Sequence, residues 1–267
     1  MSMWRAIFAV VFVFVIITVR AQPGCPPPFG VQNELKKYHI AAGVGLTHLY
    51  GDIHKAGTLG KALFIKGDYQ IKRGLYAGVE GQFGILEAME DNILANSNRY
   101  AKNSYMAGGL MVTFHPFEFF ALGNGFQTSA LDVLKNSFYV GVGVLGIMNN
   151  YKDDVFRDEG YYLLDYKGPV PPGNYGPIDH YNEKGIPVFK KKINSVTIPT
   201  VNIGFAVPVN RRYSKSGNYW SVLVNGQFNF ANNDLLDGYM PYDDQFRRIG
   251  TKNDMYTMYS LGARYSF

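Results

Sequence analysis

The sequence predicts an all-β fold, an eight-stranded antiparallel transmembrane β-barrel of the outer-membrane type. Eight segments alternate apolar and polar residues with a period of two, each about 10 to 15 residues long, which is enough to cross a bilayer when tilted. Aromatic residues make up 15% of the chain, with 20 Tyr, 19 Phe and 30 Gly, a mixture that suits a barrel with aromatic girdles. The final segment, YTMYSLGARYSF, is the clearest case. Tyr259, Leu261, Ala263, Tyr265 and Phe267 share one parity, and Ser260, Gly262, Arg264 and Ser266 share the other.

The chain opens on a charge at Arg5, an apolar run from Ala6 to Val19, and Val19-Arg20-Ala21 as a small-residue cleavage pattern. Residues 1–21 therefore read as a secretory signal peptide. The alternative is an uncleaved anchor helix, for which a run of about 14 apolar residues is short against the roughly 20 that a span requires. Residues 22–37 read as a Pro-rich arm carrying Pro26, Pro27 and Pro28, and 38–267 as the barrel. The single cysteine, Cys25, has no internal disulfide partner. Its place after the leader suggests a lipoprotein, but Gln22 stands where an aliphatic residue is expected, so a free thiol in the arm is the better reading.

The first strand falls near 38 to 52, with Tyr38, Ile40, Ala42, Val44, Leu46 and Tyr50 on one face. The second, 61 to 72, turns Leu63, Ile65, Gly67, Tyr69 and Ile71 outward and Lys66, Asp68 and Gln70 inward. In the third, 74 to 86, Leu75, Ala77, Val79, Phe83 and Ile85 oppose Tyr76, Glu80 and Gln82. The fourth, 103 to 115, aligns Met106, Leu110, Val112 and Phe114, and the fifth, 137 to 148, aligns Phe138, Val140, Val142 and Val144. The sixth, 195 to 209, carries Val201, Ile203, Phe205, Val207 and Val209, with Pro199 predicting a bulge. The seventh, 218 to 230, sets Trp220, Val222, Val224, Phe228 and Phe230 against Ser221, Asn225, Gln227 and Asn229. The eighth is the closing segment.

Outer connections then run near 53 to 60, 87 to 102, 149 to 194 and 231 to 253, and inner ones near 73, 116 to 136 and 210 to 217. Long outer loops with mostly short inner turns is the barrel pattern. The inner connection containing PFEFFALGNGF is longer than the rule expects, which points either to a short amphipathic helix at the periplasmic surface or to a strand assigned wrongly.

A soluble lipocalin-like barrel or sandwich would point its apolar faces inward. Lys66, Asp68, Glu80 and Arg264 lie mid-strand on the polar face, where a membrane barrel would pair them in its lumen. A soluble barrel would leave them in water, so these charges alone do not separate the two. The aromatic Phe267, in step with Tyr265 and Leu261, resembles the signal read by the outer-membrane barrel insertion machinery, which would make that machinery a partner during biogenesis.

Charge and motifs narrow the function further. The 26 Lys+Arg against 21 Asp+Glu give +5, and without Arg5 and Arg20 the balance is 24 against 21, or +3. That excess is too small to suggest nucleic acid. GVGVLG, residues 141 to 146, matches the dinucleotide pattern but sits inside a strand, with no helix to receive a pyrophosphate. Its glycines are expected to make room for lumen side chains opposite. Gly57-Thr58-Leu59-Gly60-Lys61 lacks the phosphate-loop spacing. The sequence contains no H-x-S of the lipid A deacylase kind, and His39, His48, His54, His115 and His180 show no metal-ligand spacing. Asp179-His180 is a weak echo of a protease pair, and Asp153, Asp154, Asp158 and Glu159 lack the spacing of a calcium loop. No catalytic, cofactor or metal residues are therefore expected. Lys190, Lys191 and Lys192, just before the sixth strand, would sit at the outer rim, as a solvated charge run or against lipopolysaccharide phosphates. The loop containing YKGPVPPGNYGPIDHY suits an ordered or partner-binding cap.

Four stretches together carry a family resemblance: GVGLTHLYGDI (43 to 53), ALFIKGDYQIKRGLYAGVEGQFG (62 to 84), FYVGVGVLGIMNNYKDD (138 to 154) and NGQFNFANNDLLDGYMP (225 to 241). They resemble the small outer-membrane barrels of Bacteroidota, within the OmpA/OmpX-like barrels, and most nearly the PorG-like group associated with the type IX secretion system. The resemblance implies an outer-membrane location, no enzymatic activity and a link to periplasmic secretion-ring components. Two function classes follow, an accessory or scaffold subunit of an envelope or secretion complex, and a stand-alone surface barrel for adhesion, envelope stability or narrow conductance. An eight-stranded barrel is filled by its own side chains, so bulk transport is not expected in either.

Overall fold

The computed structural model describes residues 36–51, 58–89, 100–120, 130–151, 173–175, 178–181, 183, 187–209, 218–238, 240–242 and 253–267. The predicted leader, most of the Pro-rich arm, Cys25, His54 and the acidic group Asp153, Asp154, Asp158 and Glu159 lie outside them.

Eight long strands form the barrel: β1 (Tyr38–Tyr50), β2 (Gly60–Lys72), β3 (Leu75–Met89), β4 (Tyr100–Phe114), β5 (Phe138–Tyr151), β9 (Lys192–Pro208), β10 (Tyr219–Ala231) and β12 (Met255–Ser266). Between β4 and β5 stand two helices, α1 (Pro116–Phe119) and α2 (Ala130–Ser137). The short strands β6 (Gly173–Tyr175), β7 (Ile178–Tyr181), β8 (Pro187–Phe189) and β11 (Met240–Tyr242) belong to the outer loops. The barrel closes in the order β1-β12-β10-β9-β5-β4-β3-β2, every neighbour antiparallel. At the seam, Tyr38 and Phe267 exchange backbone hydrogen bonds of 3.2 and 3.0 Å.

The polarity of this barrel is inverted relative to a soluble one. Each strand holds an apolar side chain outward: Val44, Leu63, Val79, Leu110, Val142, Ile203, Val224 and Leu261 are 45% to 68% exposed. The buried interior meanwhile holds Lys66, Asp68, Glu80, Gln82, Gln227, Asn229 and Arg264. A continuous apolar belt of this kind would drive association in water and is at home only in lipid. Among the described residues no helix is long and apolar enough to cross a membrane, so the strands make the crossing. The structure thus resolves the alternative that the lumen charges left open, in favour of the membrane barrel.

Several strands run further at their outer ends than the sequence predicts. β3 continues to Met89, β4 starts at Tyr100, β5 reaches Tyr151 and β9 starts at Lys192, so Lys192 opens a strand where a loop is expected. Outward positions there are polar, such as Glu87, Lys102 and Asn150, and lipid alternation therefore does not mark them. The predicted bulge lies at Ile198-Pro199: on both neighbouring strands the register steps from Thr197 to Thr200. Pro199 has no amide hydrogen, so it stands where the ladder is already interrupted. At the inner end, the β2–β3 turn uses Gly74 with φ of +73°. A Cβ there would lie 2.7 Å from Phe119 N and 2.8 Å from His115 O, so glycine both makes the turn and lets α1 close against it.

Candidate functional site: the filled lumen and its two ends

Period two places the polar parity of each strand in the lumen, and the register decides which of those residues meet. Glu80, Lys66, Ala41, Arg264 and Ser221 form one cross-strand row. Lys66 Nζ lies 3.5 Å from Asp68 Oδ1 and donates to Thr113 Oγ1 at 3.0 Å. Glu80 stands opposite Lys66 in register, and its Oε1 accepts from Gln82 Nε2 at 2.7 Å. Gln82 Oε1 in turn accepts from Tyr256 at 3.0 Å and from Tyr105 at 3.4 Å. All four predicted lumen charges are buried, at 5% to 9% exposure. They fall into separate pairings, each within one strand: Lys66 and Asp68 are neighbours on the inward face of β2, and Glu80 and Gln82 on that of β3.

Glycines shape this interior as their motif suggested. A Cβ on Gly141 would run into Asn202 Oδ1, and one on Gly143 into Met111 Sδ. GVGVLG therefore serves packing, and it lies within the strand Phe138–Tyr151.

The register also brings together three residues that the sequence did not show to be neighbours. Ser266, His39 and Asp68 lie abreast on β12, β1 and β2. His39 Nδ1 and Ser266 Oγ are 2.8 Å apart. Ser266 is 0% exposed and His39 Nε2 has no hydrogen-bond partner among the described residues. A nucleophile sealed in this way offers no substrate access, so the row reads as lumen packing. The only sequence signal was three polar residues on the inward parity of three strands.

The outer mouth is capped by residues 232–238. Asn232 N–H donates to Val196 O at 2.9 Å, and Ser195 Oγ donates to Asn233 Oδ1 at 3.0 Å. Asn103 Nδ2 donates to the Leu236 carbonyl and Tyr151 OH to the Leu235 carbonyl. Leu236 itself is 0% exposed and plugs the opening. Asp254 Oδ2 accepts from the N–H groups of Leu236 at 2.7 Å and Asp237 at 3.2 Å. The other oxygen, Asp254 Oδ1, converges with Asp237 Oδ2 on the space above Gly51, where a Cβ would lie 2.7 and 2.5 Å from them. Burial first, then the Asp237 and Asp234 carboxylates, push the Asp254 carboxyl up to about 9. A carboxyl whose folded value is raised stabilises the fold fully below its unfolded value and loses that contribution as pH rises through the folded one. The cap is accordingly expected to weaken from the ordinary carboxylate range up through about pH 9. Asp254→Asn, which keeps the acceptor and cannot ionise, is expected to flatten that dependence in urea unfolding midpoints measured across pH.

The remaining predicted positions are placed as follows. Leu261 and Phe267 are exposed on the lipid face of β12, and Tyr265 on that face packs beside Trp220 with ring centroids 4.9 Å apart. Lys190, Lys191 and Lys192 are exposed at the outer end of β9. Asp179 and His180 form an exposed 3.1 Å contact within the β7–β8 hairpin. Among the described residues no group of three His, Cys, Asp or Glu is arranged to hold a metal ion.

Fold and lumen together define a small eight-stranded β-barrel of the outer-membrane type with a closed interior. No family model matches the chain, and no curated protein does. Among solved structures it is similar to Neisserial surface protein A (NspA), at 11% identity, over 86% of this chain and 97% of that chain, with a TM-score of 0.40. It is also similar to Ail, the attachment invasion locus protein of Yersinia pestis, in complex with the heparin analogue sucrose octasulfate, at 9% identity over 87% and 99%, TM-score 0.38. A third is the outer membrane protein OprG from Pseudomonas aeruginosa, at 9% identity over 88% and 98%, TM-score 0.37. Scores this low carry no weight for function, and the class rests on the closed strand ring and its inverted polarity.

Proposed function

We propose that this protein is a non-catalytic outer-membrane barrel acting as an accessory or scaffold subunit of an envelope or secretion complex of the type IX kind. One observation carries the reading, the filled lumen. Tyr256, Gln82 and Gln227 are 0% exposed at its centre, and Leu236 closes its outer mouth. A barrel so filled works through its ends and its rim. At the outer rim Lys190, Lys191 and Lys192 present cations at the level where lipopolysaccharide phosphates lie. At the inner end α1 and α2 give the barrel a helical element near any periplasmic ring component.

The second reading, a stand-alone surface barrel, is favoured by the ordered outer loops. β7 pairs with β8 in a hairpin, and β11 pairs with β6 across two different loops, the kind of surface an adhesin would present. Mild detergent extraction of a tagged copy from its own envelope, with mass spectrometry of the co-purified proteins, separates the two. Periplasmic ring components in stoichiometric amounts are expected. Recovery of the barrel alone would overturn the accessory role in favour of the surface barrel.

A further inference from the structure

The inner end carries an aromatic girdle that follows the lipid face of the barrel. Tyr69, Tyr38, Phe267, Tyr265 and Trp220 are linked in series, with centroid separations of 5.4, 5.9, 5.8 and 4.9 Å. On the opposite arc Phe205 meets Phe138 at 5.5 Å. Phe114 and Phe138 share the outward parity of β4 and β5, with Val112 and Val140 as their outward neighbours. Helix α1 is built onto these two outward rings. Phe119 and Phe120 lie 5.1 and 6.1 Å from Phe114, and Phe117 lies 6.2 Å from Phe138.

The helix is thus placed on the lipid side of the barrel wall, below the strand ends. Phe117 and Phe120 remain 50% and 58% exposed there. The one acidic group of α1, Glu118, turns the other way, toward the lumen, where its Oε2 accepts from Tyr76 at 3.2 Å. Lys72 Nζ stands over the Phe119 ring at 5.3 Å. Helix α2 packs on α1 and β9, exposing Leu131 and Leu134 one turn apart, with Lys135 in its last turn. Exposed rings, flanked by cations and joined to an established lipid-facing surface, are the composition of an element lying in a membrane interface.

We infer that α1, with α2 beside it, is an interfacial foot: Phe117 and Phe120 enter the boundary between headgroups and acyl chains of the inner phospholipid leaflet, and Lys72 and Lys135 meet its phosphates. The occupant of this apolar face is lipid, because the face is built on Phe114 and Phe138, outward rings of the lipid-facing barrel surface. Such a foot would sit about 5–10 Å into the leaflet and fix the barrel's depth and tilt at its inner end. Whether or not the barrel serves a secretion complex, this contact is the same.

The test places a single tryptophan on the foot. In a Trp220→Phe background of the mature chain, Phe117→Trp and, separately, Phe120→Trp are refolded into phosphatidylethanolamine and phosphatidylglycerol vesicles. Blue-shifted emission is expected in both, with strong loss of intensity on brominated phospholipid and little loss on aqueous iodide. Water-like emission quenched by iodide would overturn the inference and leave the face for a periplasmic protein. Blue-shifted emission that disappears on dilution of the protein in lipid would overturn it in favour of a second copy of the chain. Heat-modifiable gel mobility, measured on each variant, shows that the barrel has formed before the spectra are read.

Discussion

Replacing Leu110 with arginine is expected to destabilise the refolded barrel by about 2–4 kcal/mol, the cost of a cation near the bilayer midplane on a lipid-facing strand. Leu110 is the most exposed residue of the belt, at 68%. Its register neighbours Val79 and Val144 are apolar and exposed as well, so the arginine finds no carboxylate beside it. Along β4 the outward apolar side chains run from Met106 to Phe114, and Leu110 is at their middle. Ile71→Arg, on the same lipid face but at the inner end of β2, is expected to cost only about 0–1 kcal/mol, because its side chain reaches the interface. Urea unfolding in a bilayer, followed by tryptophan emission, measures both. A protein whose belt faced water would show neither the cost nor the depth dependence, since an exposed surface substitution is ordinarily within about 0.5 kcal/mol of neutral. Equal, small effects at the two sites would therefore reject the membrane placement.

Lys66→Met is expected to cost about 3–5 kcal/mol, the usual consequence of removing one partner of a buried ion pair. The substitution leaves the Asp68 carboxylate inside the lumen without the ammonium 3.5 Å away, and removes the donor from Thr113. The size follows from burial: the two side chains are each 7% exposed, so solvent screening is slight. Lys66→Met combined with Asp68→Leu removes both charges and is expected to recover most of the loss, since a buried pair contributes little over well-packed apolar groups. A double-mutant cycle in urea separates the pair term from packing. Single and double variants of equal stability would show that the carboxylate of Asp68 needs no counter-ion, and that water in the lumen screens the pair.

Much of the barrel was legible in the sequence for a simple reason. A strand between lipid and a polar lumen must alternate, and the alternation states which residues face which side. Every long strand was found where Tyr38, Leu63, Val79, Leu110, Val142, Ile203, Val224 and Leu261 lay on the apolar parity. Pro199 marked an irregularity that proved to be a bulge, and the excess length of the segment around PFEFFALGNGF left room for one short helix, where the structure has two. The outer strand extensions were not legible, because above the membrane the outward face turns polar and Glu87, Lys102 and Asn150 read as loop.

The lumen shows the boundary between what the sequence determined and what only the tertiary structure decided. Period two dictated that Lys66, Asp68, Glu80 and Arg264 point inward, and composition dictated that an interior this polar must satisfy itself. Which groups meet across strands was decided by the stagger of the closed ring, a global property that no single strand encodes. Lys66 with Asp68 and Glu80 with Gln82 follow from the pleat of one strand, whereas that stagger brought Lys66 to Thr113, Tyr256 to Gln82, and Ser266 beside His39 across the seam between the first and last strands. The outer cap was decided in the same way. Asp254, Asp237 and Gly51 come from distant parts of the chain, and their convergence exists only because closure brings β1, β10 and β12 to one rim. Facing is a local consequence of backbone pleat, whereas neighbourhood is a consequence of how the whole sheet closes.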